Sequence, residues 1–190
     1  MKKVLIIAAI AGTALTSNAQ FTKGDKFTSS SLGYSSTTKE NEESNSFTLA
    51  PSVGYFVTNN LSLGLEFAIG SNSTKLVAND SMSVDNSSFS FGAHANYFFT
   101  PAEKFSFFAN IGIDFMSGNN EIKKVTTSGF GISVVPSVSY FLNNRLAMQA
   151  SYGSIGYNTM KSDAAGAKAE NNFGVNLDMS SIGFGLTYKF

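Results

Sequence analysis

Five segments in strict two-residue alternation, a charged fraction of only 14%, and connections that alternate between short and long predict the fold class. It is all-β: an eight-stranded antiparallel up-and-down transmembrane β-barrel. A chain of 190 residues and 20.2 kDa suits one such domain. Ordinary soluble domains carry about 25% charged residues, so the surface here is unsuited to water.

The elements follow in order. Met1-Lys2-Lys3 gives a positive start, Val4 to Leu15 an apolar run, and Ser17-Asn18-Ala19 a small-residue end. That order is a secretory leader, with cleavage expected after Ala19, giving a leader over 1–19 and a barrel domain over 20–190. A membrane-spanning helix needs about 20 apolar residues, more than this run supplies. Removing the leader leaves 11 basic and 13 acidic groups. That balance leaves no basic stripe for a nucleic acid, and none is expected as a partner.

Phe47, Leu49, Pro51, Val53, Tyr55 and Val57 fall on one parity, with Thr48, Ala50, Ser52, Gly54 and Phe56 on the other. The same alternation runs through Leu61–Ile69, Phe89–Phe99, Phe105–Met116 and Phe130–Tyr140. Period two over that length means strands. Three weaker strands, near 26–37, 145–157 and 173–190, complete eight. Thr58-Asn59-Asn60, Thr100 to Lys104 and Asn143-Asn144 read as short turns. The stretches 39–46, 71–86, 118–127 and 158–172 are polar and read as longer surface loops. A parity change upstream of Ile182 predicts a β-bulge near Ser180-Ser181.

Pro51-Ser52-Val53-Gly54-Tyr55-Phe56 recurs as Pro136-Ser137-Val138-Ser139-Tyr140-Phe141. Tyr55, Tyr97, Tyr140 and Tyr188 each close a strand leading to a short turn or to the C-terminal end, so they are expected to form one aromatic girdle. The non-apolar parity is Ser, Gly, Ala and Asn, with almost no Lys or Glu to hydrate it. Such residues fit a crowded lumen, whereas the aromatic and aliphatic parity fits lipid. The barrel is therefore read with its apolar face outward.

The final strand alternates Phe184, Leu186, Tyr188 and Phe190 with small or polar residues, which resembles the assembly signal of bacterial outer-membrane barrels. From leader to Phe190 the chain resembles the small outer-membrane β-barrel family, porin-like, with OmpA-type and OmpX-type eight-stranded domains as relatives. The resemblance implies the bacterial outer membrane, contact with outer-membrane lipid or lipopolysaccharide, and handling by the barrel-assembly machinery. It carries over no catalytic or binding residue.

The chain has one His and no Cys, so no thiolate metal site or thiol nucleophile exists, and neither metal nor cofactor is expected. Glu40, Glu42 and Glu43 lack calcium-loop spacing and read as solvated loop. On the lumen parity stand Glu66, His94, Asn110 and Asp114. Register about a turn centred near Ala102 predicts a Glu66–His94–Asn110 cluster, with His94 close to Asn110. Such a cluster serves either as a proton-linked gate or, more simply, as mutually satisfied lumen packing. Ser88, Ser90 and Ser106 lie near His94 in sequence, but an inward-facing His suits esterase chemistry poorly, and no enzyme is expected. The function expected is a membrane scaffold presenting loops to a surface or envelope protein partner. A narrow porin-like channel is the alternative, and a lipid-modifying enzyme a more distant one.

Overall fold

The computed structural model describes residues 21–39, 42–76, 82–120, 124–177 and 182–190. The leader over 1–19 and the expected bulge at Ser180-Ser181 lie outside the described residues. The elements are β1 (Lys26–Lys39), β2 (Glu42–Phe56), β3 (Leu61–Leu76), β4 (Met82–Phe98) and β5 (Phe105–Asn120). β6 (Val125–Phe141), β7 (Leu146–Tyr152), β8 (Ser154–Ser162), β9 (Glu170–Asn176) and β10 (Ile182–Lys189) follow. Neighbours from β1 to β6 pair antiparallel, and β10 closes the ring by pairing with both β1 and β7.

Ten strands make eight staves. β6 pairs with β7 along its lower part and β8 along its upper part, so β7 and β8 are one stave broken at Gly153. Gly153 has a φ of 69°, a conformation that L side chains resist, and it supplies the extra residue of a bulge. β9 and β10 form the last stave: Asn176 pairs with Ser154 on β8 and Ile182 with Tyr152 on β7.

The two prolines of the internal repeat mark interruptions of the ladder. Pairing of β2 with β3 lapses between Leu49 and Ser52, at Ala50-Pro51. Pairing of β6 with its next stave lapses between Val134 and Ser137, at Val135-Pro136. Proline has no N–H to give to a ladder and is tolerated in a sheet where pairing is already interrupted.

Outward positions are apolar over a limited height. On β3 they run Leu61, Leu63, Leu65, Phe67, Ile69 and then change to Ser71 and Ser73. On β6 they run Tyr140, Val138, Pro136, Val134, Ile132, Phe130 and then change to Ser128 and Thr126. About ten residues at 3.3 Å, tilted by roughly 40°, cover about 25 Å, the apolar height of a transmembrane barrel. Within that band Phe67, Phe91, Phe115 and Phe130 lie in register across β3 to β6.

The stretches expected as long surface loops are mostly strand. β1 runs to Lys39 and β2 resumes at Glu42; β3 runs to Leu76 and β4 resumes at Met82. β5 reaches Asn120 before β6 starts at Val125, and β8 reaches Ser162 before β9 starts at Glu170. Glu42 and Glu43 accordingly pair with Lys39 and Thr38. Above the apolar band both faces are wet, so alternation disappears while the backbone ladder continues. Side chains tie it across strands: Asn120 Nδ2 donates to Asn86 Oδ1 at 2.8 Å, and Thr126 Oγ1 to Asn119 Oδ1 at 2.9 Å.

Candidate functional site in the barrel lumen

The lumen has three zones, stacked from the short turns upward. The lowest is aromatic. Phe21 stacks on Phe56 at 4.4 Å between ring centroids and meets Phe98 at 4.9 Å and Phe141 at 4.7 Å. Phe98 stacks on Phe108 at 4.7 Å, and Phe27 leans on Phe56. All are buried, Phe56, Phe98 and Phe141 to 1% exposure. The segment before β1 holds Phe21 in place: Gly24 N donates to Phe56 O, Phe56 N to Asp25 O, and Lys23 N to Asn59 Oδ1, each at 2.9 Å. The Lys189–Asp25 ion pair, at 3.1 Å, fastens that segment to β10.

The middle zone holds the polar residues expected in the lumen, in an arrangement different from the expected one. The β4–β5 ladder pairs Phe98 with Phe108, so Asn110 stands opposite Asn96 and His94 opposite Gly112. The hairpin axis lies at Glu103, one residue beyond Ala102, and a one-residue shift of the axis moves the partner two residues along the same face. Asn110 Nδ2 therefore donates to Asn96 Oδ1 at 2.7 Å, and Asn96 Nδ2 to Ser62 Oγ at 3.3 Å. The ladder is Ser62–Asn96–Asn110, and His94 is not part of it. Asn96 and Ser62 escaped the sequence reading. The mirror placement of Phe98 and Phe108, an aromatic pair that stacks across the hairpin, is the signal that locates them.

Glu66 and His94 are diagonal neighbours, because Glu66 pairs with Gly92 and His94 with Gly64. Asp114 also pairs with Gly92, from the other side. Large polar residues thus alternate with glycines around the wall, with His94 folded over Gly64 and Asp114 over Gly92. A Cβ on Gly64 would lie 2.5 Å from His94 Nε2, and one on Gly92 would overlap Asp114 Oδ1. His94 Nδ1 is buried with no hydrogen-bond partner among the described residues. Ser88 and Ser90 pair with Gly70 and Ala68, and Ser106 with Ser139, so the register sets none of them opposite His94.

The upper zone is a polar hollow of about 410 Å³ at the hairpin end, lined by groups such as Ser46, Thr48, Asn72, Asn86, Ser88 and Asn120. On the outer surface, the four tyrosines stand at the short-turn rim. Tyr55 pairs with Lys26, Tyr97 with Leu61, Tyr140 with Phe105 and Tyr188 with Leu146. Phe184, Leu186 and Tyr188 face outward on β10, and Phe190 N donates to Lys26 O at 2.9 Å. Phe190 lies edge-on to Tyr188 at 5.3 Å.

Comparison with known proteins fits this geometry. The family model described as "Outer membrane protein beta-barrel domain" matches residues 4–190. Among solved structures, the outer membrane protein OprG from Pseudomonas aeruginosa aligns with 12% identity over 90% of this chain and 98% of its own, with a TM-score of 0.56. Neisserial surface protein A aligns with 18% identity over 87% and 96%, TM-score 0.48. The N-terminal β-barrel domain of Pseudomonas aeruginosa OprF gives 12% identity over 88% and 98%, TM-score 0.44. At these identities the likeness concerns the fold alone, and OprG carries it. No functionally curated protein matches the chain. With nearly every residue inside the family model and a ring of eight staves banded for a bilayer, the chain belongs to the outer membrane protein β-barrel domain family of the bacterial outer membrane.

Proposed function

We propose that the protein is a membrane-embedded scaffold that offers its outer hairpins to a surface or envelope partner and does not conduct solutes. The observation that carries this reading is the aromatic plug. Six phenylalanines, four of them at 2% exposure or less, fill the short-turn end where a water column would have to leave. A barrel of this size is just wide enough for side chains to fill. The hairpins above the bilayer support the same reading. They extend the wall with paired Ser, Thr and Asn, a shaped surface rather than loose loops. Export with removal of a leader after Ala19, handling by the barrel-assembly machinery through the β10 pattern, and contact with lipopolysaccharide belong to this proposal.

The polar hollow favours a second reading, a narrow channel, because it supplies the outer half of a path. Planar-bilayer recording of the refolded mature barrel separates the two. The scaffold reading expects silence from verifiably inserted protein, and the channel reading expects reproducible unitary steps. Steps that respond to His94→Ala would replace the scaffold with a gated channel.

A further inference from the structure

Outward residues are bulky on β3 from Leu61 to Ile69 and on β5 from Ile111 to Phe115, and β4 departs from this between them. Between Phe91 and Tyr97 its outward residues are Ala93 and Ala95. Register places Leu65 and Ile113 on either side of Ala93, and Leu63 and Ile111 on either side of Ala95. These two small residues and their four large neighbours, together with Val53 and Tyr55 on β2, line an apolar surface groove of about 830 Å³. It runs to the short-turn rim, where Lys26, Tyr55 and Phe190 border it.

The rim cations differ in what they do. Lys104 Nζ sits 5.1 Å over the Tyr140 ring, and Arg145 Nη1 donates to Tyr188 Oη at 3.4 Å. Lys189 pairs with Asp25 at 3.1 Å. Lys26 is exposed beside Tyr55, and its ammonium has no such partner among the described residues.

We propose that the groove binds one phospholipid of the periplasmic leaflet, with an acyl chain over Ala93 and Ala95 and the phosphate at Lys26. The short-turn end is the periplasmic end of such barrels, so groove and cation meet that leaflet. Within hydrocarbon, apolar burial drives nothing, and selectivity comes from close packing in a shaped groove and from charge at its end. Lys can extend its stem along the groove and keep its ammonium at headgroup level. A second copy of the chain is the competing occupant, since small residues also let barrels approach. A symmetric contact there would bring two Lys26 ammonium groups toward each other, which favours the lipid. The site depends on the membrane placement and not on whether the lumen conducts, so it stands or fails separately from the scaffold proposal.

The test is native mass spectrometry of the full mature barrel refolded with palmitoyl-oleoyl phosphatidylglycerol, with dioleoylglycerol as the phosphate-free comparison. Wild type is expected to retain one phospholipid and about tenfold less diacylglycerol. Ala93→Leu with Ala95→Leu fills the groove and is expected to cut retention about tenfold, while Lys26→Gln removes the preference for phosphate. Heat-dependent gel migration verifies folding, and Lys26→Gln, at an exposed rim position, decides alone if the double variant does not fold. Equal retention in the filled barrel, or equal retention of both lipids by wild type, overturns the proposal. A protein dimer that disappears when the groove is filled assigns the groove to a second copy and also overturns it.

Discussion

The two halves of this barrel are held together differently. The short-turn half, the inner one, is closed by β1–β10 pairing from Phe27↔Lys189 to Leu32↔Phe184, and is filled by phenylalanine rings. In the outer half, β1 from Gly33 onward pairs with β2 alone and β9 with β8 alone, among the described residues. There the wall surrounds a polar hollow, and Ser, Thr and Asn hydrogen bonds take the place of packing. A sheet edge facing lipid is costly, because its backbone groups have no water to turn to. The inner half therefore concentrates the packing that makes the barrel stable, and the outer half retains a surface that can still pair and bind.

The largest effect expected from this comparison is in the plug. Phe98 is 1% exposed and touches Phe21, Phe56 and Phe108. Phe98→Ala is expected to cost about 3–5 kcal/mol, in the range of buried Phe truncations. Urea unfolding in lipid vesicles measures it. A loss below about 1 kcal/mol would mean that the inner half is not the stabilising one, since even a modest cavity exceeds that.

Next in size is the boundary of the apolar band. Leu65→Arg puts a cation into mid-band and is expected to cost about 2–4 kcal/mol. Ser73→Arg, outward on the same strand but above the band, is expected to cost at most about 1 kcal/mol. Similar losses at both positions, in the same unfolding assay, would move the bilayer boundary. Equal tolerance at both would turn the barrel inside out.

The band was legible in the sequence and the outer half much less so. Alternation shows itself where one face meets lipid and the other a crowded lumen, as from Leu61 to Ile69. From Gly70 to Leu76 the strand continues with Ser, Asn, Thr and Lys, residues that satisfy either face, so its continuation carries no periodic signal. The break at Gly153 was hidden for a related reason: a bulge changes parity within a strand whose pattern was already weak. In the lumen, Glu66, His94, Asn110 and Asp114 share the parity opposite to the outward apolar residues, but which of them meet depends on register. Register is set by turn geometry, and the one-residue difference between Ala102 and Glu103 as hairpin axis moved Asn110 from His94 to Asn96.

The smallest effect contrasts two glycines and tests the division between halves most finely. Gly92 lies between Glu66 and Asp114 in the packed lumen, and a Cβ there would overlap Asp114 Oδ1 and sit 2.5 Å from the Ile113 carbonyl oxygen. The backbone oxygen cannot rotate away, so Gly92→Ala is expected to destabilise by about 1–3 kcal/mol, as overpacking does. Gly174 stands on β9, where a Cβ would meet nothing within 4 Å. There the added methyl group only restricts the unfolded chain, and Gly174→Ala is expected to stabilise by about 0.4–1 kcal/mol. Opposite signs in one unfolding series support a tight inner lumen and an open outer edge. If Gly174→Ala instead destabilises, something closes against β9, and the upper part of β1, which among the described residues pairs with β2 alone, is the strand to test for it.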